Sequence, residues 1–160
     1  MNQYAGNRPV GGQGAFGGGA ARAQERGAGN ERASIALDGV RLGGTIAPSL
    51  FSDIAQEAAR SVSAGAQHVN KSSQLRRFYD ELVMWQEKVG RDEQRFKDCE
   101  PYIRMLKAKA AYAEGRGHVD ASFRALFDRL IDEAKDTATL RHAKLFFEAF
   151  LAYYKVFRPQ

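Results

Sequence analysis

The chain predicts an all-α protein: a single bundle of about five helices preceded by a disordered, Gly-rich N-terminal tail. Three observations carry this. Twelve of the 16 glycines fall in the first 44 of 160 residues, which divides the chain into a Gly/Arg-rich tail and linker, 1–44, and a body, 45–160. Within the body, apolar residues return every three or four positions, the period of a helix with one buried face. Only Ser34–Thr45 alternates in the manner of a strand, and no second such run exists to pair with it.

In the first 32 residues, ordering the backbone would cost roughly 1 to 2 kcal/mol per residue. Tyr4, Val10 and Phe16 could return only about 1.5 to 3 kcal/mol each, so the tail is expected to be disordered. Arg8, Arg22, Arg26 and Arg32 among glycines resemble segments that hold RNA loosely, although a plain flexible tail is the simpler reading. Ser34–Thr45, punctuated by Gly39, Gly43 and Gly44, reads as a linker or a short extended arm.

From Pro48 the first helix runs to about Ser63, with Leu50, Ile54, Ala58 and Val62 recurring every four residues, and Gly65 ends it. Asn70 to Ser73 supply candidate N-caps for a long second helix whose Leu75, Phe78, Leu82, Trp85 and Val89 share a face. Phe96 continues that stripe beyond Gly90, which marks a kink or a break before a corner at Asp98–Glu100. Arg77, Lys88, Arg91 and Arg95 lie on the far side, mixed with acids, which at i,i+4 spacing reads mostly as a solvated salt-bridged surface. Arg76 and Arg77, near the helix start, are better placed to grip phosphate.

Glu100–Arg116, EPYIRMLKAKAAYAEGR, is the most informative stretch. Pro101 suits a first helical position and Gly115 the left-handed residue just past a C-terminus. At 100° per residue Tyr102, Ile103, Leu106, Ala110 and Ala113 fall toward one side, expected to be core, while Arg104 and Lys107 project from the other. Lys109 borders the apolar face, where its stem can pack while the ammonium stays wet.

His118–Asp120 opens a fourth helix that ends near Asp136, with Phe123, Leu126, Phe127, Leu130, Ile131 and Ala134 inward. The fifth, from about Thr139 to Phe157, is apolar almost all round. Leu140, Ala143, Phe147, Phe150, Leu151 and Tyr154 form one face. Leu145, Ala149, Tyr153 and Val156 cover most of the rest, leaving Arg141, Lys144, Glu148 and Lys155 as a polar strip. Such a helix is either central in its bundle or shared with another chain.

The formal charge is +5 and the pI about 9.5, which favours acidic partners such as nucleic acid without requiring one. One cysteine, Cys99, supplies neither a disulfide framework nor a thiolate zinc site and reads as a partly buried structural thiol. His68, His118 and His142 lack the spacing that puts two imidazoles on one metal. His118 and Asp120 are better explained as a loop residue and a helix cap than as an acid–base pair. GGQGAFGGG lacks the Lys-Ser/Thr and preceding strand of a phosphate loop. The reading is therefore not an enzyme, with no cofactor and no metal. With no signal peptide or apolar span, no membrane partner is expected and the location is cytoplasmic.

What remains is a helical body with cations among aromatics, suited to contacting a phosphate backbone. Three segments carry a family resemblance: Ser73–Tyr79 (SQLRRFY), Pro101–Arg116 (PYIRMLKAKAAYAEGR) and Phe146–Lys155 (FFEAFLAYYK). In this order and separation they resemble the small helical subunit of Csm-type, type III-A CRISPR effector complexes, over about Leu50–Phe157. The Gly-rich first 44 residues do not match the family pattern.

The resemblance implies a non-catalytic subunit that stacks in copies along the backbone subunit and lines the channel holding guide RNA and target RNA in antiviral defence. Its partners would be both RNAs, the backbone and large subunits of the complex, and other copies of itself. Matched to basic positions of the family segments, the RNA-facing candidates are Arg76, Arg77, Arg104, Lys107, Lys109 and Arg116. Lys144 joins them, or contacts a neighbouring subunit. The alternative is a helical protein–protein interaction or oligomerisation module without direct nucleic-acid contact, suggested by the nearly all-apolar last helix.

Overall fold

The computed structural model describes residues 37–159. The expected disordered tail and its four arginines lie outside the described residues. A π-helical turn, Leu50–Ile54, leads into α1 (Ala55–Ser63), followed by α2 (Ser72–Val89), α3 (Glu93–Arg104), α4 (Leu106–Gly115), α5 (Ala121–Glu133) and α6 (Thr137–Phe157). Among the described residues there is no strand. Only Met105, itself at a helical φ of −64° and ψ of −17°, parts α3 from α4, so these elements of the described residues amount to five rods, an all-α bundle as the periodicity predicts.

Several boundaries differ from expectation. Pro101 lies in the last turn of α3 and not at a helix start. The start is Asp92, whose carboxylate accepts the backbone N–H groups of Gln94 at 2.9 Å and Arg95 at 3.1 Å, satisfying donors that the first turn leaves unpaired. Gly90, at φ +59°, ends α2, so the corner expected at Asp98–Glu100 falls before α3. Gly115 is the last helical residue, and the left-handed position belongs to Gly117 at φ +70°, a conformation that costs glycine little.

Nor do the side chains of Asn70–Ser73 cap α2, whose N-cap is Lys71 without a side-chain bond. Asn70 takes φ +54° and is fully buried. Its Oδ1 accepts the Asp120 N–H at 2.9 Å, and its carbonyl accepts the Tyr154 hydroxyl at 2.7 Å. One loop residue thus joins the starts of α2 and α5 to α6. Asp120 caps α5, accepting from Phe123 N–H at 3.0 Å, as the helix-cap reading has it. α6 begins slightly earlier than the periodicity suggests, because Asp136 and Thr139 form a reciprocal capping box.

α6 supplies the centre of the core. Leu140, Ala143, Phe147, Phe150 and Tyr154 are buried, as is Phe146 one step away. Phe78 of α2, Phe123 and Phe127 of α5, and Phe147 and Phe150 of α6 form one aromatic cluster, with neighbouring centroids 5.0 to 6.4 Å apart, the range in which tilted and offset rings attract. Leu145, Ala149, Leu151 and Tyr153 are half-buried, and Val156 is the one large apolar side chain of α6 left exposed. The helix is mostly spent inside its own chain.

The stretch read as a linker or short extended arm is, from residue 37, an arm fixed to α5 and α6. Val40 and Leu42 are fully buried. The Leu42 N–H donates to Glu133 Oε2 at 3.1 Å, Arg129 Nε donates to the Val40 carbonyl at 3.0 Å, and His142 Nδ1 lies 2.8 Å from the Leu42 carbonyl. The packed body therefore starts upstream of residue 45. At the other end Arg158 is buried, donating to the carbonyls of Ser63 (3.0 Å), Val69 (2.9 Å), Ala66 (3.2 Å) and Gly65. It ties the end of α6 to the orphan carbonyls after α1. No helix of the described residues is long and apolar enough to cross a membrane.

Candidate nucleic-acid interface

The cations predicted to face RNA are distributed over three flanks of the bundle. Arg104 and Lys107 turn toward α5. Arg104 Nη1 donates to the Ile131 carbonyl at 2.8 Å and Nη2 to the Ala134 carbonyl at 3.4 Å, while Glu100 Oε1 holds Nη2 at 2.9 Å. The Ile131 and Ala134 carbonyls belong to the end of α5, where backbone donors run short; from the backbone, Ile131 receives only the C-cap N–H of Ala134, at 3.3 Å. A cation there also complements the helix dipole. Lys107 Nζ meets Asp132 Oδ1 at 2.7 Å. Behind them Asp128 has its carboxyl raised by burial, opposed in part by the charge of Lys107.

The second flank joins α2 to α3 and α4. Lys109 Nζ meets Glu81 Oε2 at 2.5 Å, and Trp85 stacks on Tyr102 with centroids 5.9 Å apart and planes 9° apart. Arg77, Glu81, Met84 and Lys88, at spacings of four, three and four, share one face of α2. Tyr102, Met105, Lys109, Tyr112 and Arg116 share one face of α3 and α4. Arg77 is exposed, with no side-chain hydrogen bond or ion pair among the described residues. Arg116 is exposed and lies over the Tyr112 ring, 5.8 Å from its centroid.

Tyr102, expected in the core, is 56 % exposed. The helix turns Ile103, Leu106 and Ala110 fully inward, and Tyr102 sits at the edge of that face, over Trp85. The buried stripe is one residue narrower than the helical period predicts.

The third flank is a surface groove of about 390 Å³ between α2 and α6, lined by Arg76, Tyr79, Glu148, Leu151 and Ala152. Arg76 pairs with Asp80 at 2.8 Å and lies over the Tyr79 ring, 5.0 Å from its centroid. Lys144 pairs with Glu148 at 2.6 Å. That bond holds the ammonium above its usual range and the carboxylate below its own.

Sequence reading did not single out a further groove of about 370 Å³ where the end of α2 meets the start of α6, lined by Gln86, Gly90, Arg91, Thr137, Ala138 and Arg141. Arg91 and Arg141 are exposed there without ion-pair partners among the described residues. Fifty residues separate them in the chain, and no local pattern links them. Cys99 is half-buried against the core. Among the described residues no three His, Cys, Asp or Glu side chains gather as metal ligands.

Fold and surface together define a small all-helical protein with cations set around an aromatic core. The chain belongs to the Csm2 Type III-A family, whose model matches residues 47–160. It is thus a small subunit of a type III-A CRISPR complex, in a family of structural subunits. No curated protein and no solved structure matches the chain.

Proposed function

We propose that this subunit is non-catalytic, stacks with further copies along the backbone subunit beside the large subunit of its complex, and binds guide and target RNA through phosphate contacts in cytoplasmic antiviral defence. The family match over 47–160 carries the reading. Exposed cations on several flanks of a chain of charge +5 support it, since cations on phosphate position a strand without reading its bases.

The seven candidates differ in what RNA would displace. Arg77 and Arg116 are exposed and have no acidic partner among the described residues, so they offer their full charge. Arg76 would exchange the exposed Asp80, and Lys109 and Lys144 the partly exposed pairs with Glu81 and Glu148, for a phosphate at modest cost, since ion pairs in contact with solvent contribute about 0 to 1 kcal/mol. Arg104 and Lys107 are half-buried beside α5 and add positive potential while Arg104 holds that helix end.

Lys107, Lys109 and Arg116 changed together to Ala should weaken target-RNA binding by the assembled complex with the helical circular dichroism intact. Unchanged binding would overturn the assignment of these residues. An oligomerisation module without RNA contact has the weaker support, because α6 leaves only Val156 of its large apolar side chains exposed.

A further inference from the structure

Five large apolar side chains stand exposed among the described residues: Met84, Tyr102, Met105, Tyr112 and Val156. Four of them lie on the flank where α2 meets α3 and α4. Tyr102 is 56 % and Tyr112 67 % exposed, and their rings project from the same helical face as Met105, Lys109 and Arg116. Water-facing aromatics gathered in this way mark a binding surface more often than chance exposure does.

Charge selects the occupant. Arg77, Lys88, Lys109 and Arg116 occupy the flank and outnumber its acids, Glu81 and the exposed Asp98, which accepts from Gln94 at 2.9 Å. Glu81 pairs with Lys109, and Glu114 turns away to Arg124 at 2.7 Å. Cations alternating with exposed rings, each covered on one face by Trp85 or Arg116, suit a chain that carries a phosphate and a flat base at every repeat. An acidic protein segment would match the cations and leave the rings without flat partners.

We propose that this flank is a stacking platform for unpaired RNA bases, with Tyr102 and Tyr112 as the base-contacting rings and Arg77, Lys109 and Arg116 on the intervening phosphates. The two tyrosines are about 15 Å apart along the helix axis, so one strand laid along α3 and α4 meets both. Trp85, stacked behind Tyr102, fixes that ring and lengthens the stack. This rests on the RNA-binding reading above and adds base contact to phosphate contact.

Trp85 is the chain's single tryptophan, which makes its fluorescence a direct probe. The full-length chain is titrated at low salt with single-stranded oligoadenylate and with an abasic ribose-phosphate oligomer of the same length. Oligoadenylate should bind more tightly and change Trp85 emission. Tyr102→Ala with Tyr112→Ala should weaken it at least about thirtyfold, and Tyr102→Phe with Tyr112→Phe should keep the affinity. Equal binding of the two oligomers would overturn the platform and leave phosphate contact standing. Failure of both to bind would overturn the RNA reading with it. If the Ala pair binds RNA normally but no longer assembles with the other subunits, the flank is a protein interface and the platform is wrong.

Discussion

Lys107 and Lys109 stand two residues apart and serve opposite flanks of one helix: Lys107 meets Asp132 of α5 at 2.7 Å, Lys109 meets Glu81 of α2 at 2.5 Å. Two residues turn through about 200°, and the buried Leu106 and Ala110 lie between them. A run that looks like one basic cluster in the sequence is therefore two. Each pair is half in solvent, so Lys107→Ala and Lys109→Ala should each cost no more than about 1 kcal/mol. Their effects on urea unfolding should add to within about 0.5 kcal/mol. A larger coupling energy would mean that the two lysines share partners after all.

Arg77 and Arg116 give the clearest electrostatic readout, because no acid competes for them. If each meets one phosphate, either Ala substitution should reduce the steepness of the salt dependence of RNA binding by about 0.7 to 0.9. The measurement is log affinity against log salt concentration for the wild type and each variant. Parallel lines displaced by a constant amount would show that the lost contact was not ionic.

Arg104 is expected to behave differently from both. Its guanidinium joins Glu100 to the last carbonyls of α5, and charged hydrogen bonds of this kind contribute about 1.5 to 3 kcal/mol. Arg104→Ala should lower stability toward that range in chemical denaturation. Arg104→Lys should not restore it, since an ammonium cannot span carbonyls and carboxylate with a planar fork. Full stability in Arg104→Ala would return this residue to the simple surface cations.

Period and composition made the five rods and most of their buried residues legible, Leu75, Phe96, Ile103 and Phe147 among them, because each element buries one face. Boundaries were less legible. Pro101 carries a helix-start signal, yet the competing signal at Asp92, where a carboxylate meets two N–H groups, prevails. Arg158 and Asn70 could not be found by period at all. Their partners are carbonyls and N–H groups far along the chain, and only the fold brings these together. The candidate cations were legible as residues but not as a surface, because helical rotation and acids from other helices divide them.

Asn70 tests this kind of long-range dependence. Asn70→Ala removes the acceptor for the Asp120 N–H and puts a residue less tolerant of the left-handed region than Asn where φ is +54°. The lost bond and the left-handed backbone together should cost about 2 to 4 kcal/mol. Asn70→Gly loses the same bond but relieves the backbone, so it should be the milder change in thermal or urea melts. The reverse order would mean that backbone conformation contributes nothing here.

Asp136 predicts how the fold responds to acid. Its carboxylate accepts the Thr139 N–H and hydroxyl, each at 2.7 Å, and these bonds, the backbone one foremost, hold its pKa below the usual aspartate value. A group depressed in the folded state binds protons more readily when unfolded. Its contribution is thus complete above the unfolded value of about 3.9 and disappears as the pH falls through the lower, folded value. Asp136→Asn keeps an N-cap acceptor without a titrating charge, whereas Asp136→Ala removes the cap and should cost about 1 kcal/mol near neutrality. Urea melts from neutral pH down to about 3 should show a shallower loss of stability for Asp136→Asn than for the wild type. An identical slope would assign the acid sensitivity to other carboxylates and leave the α6 cap a purely geometric device.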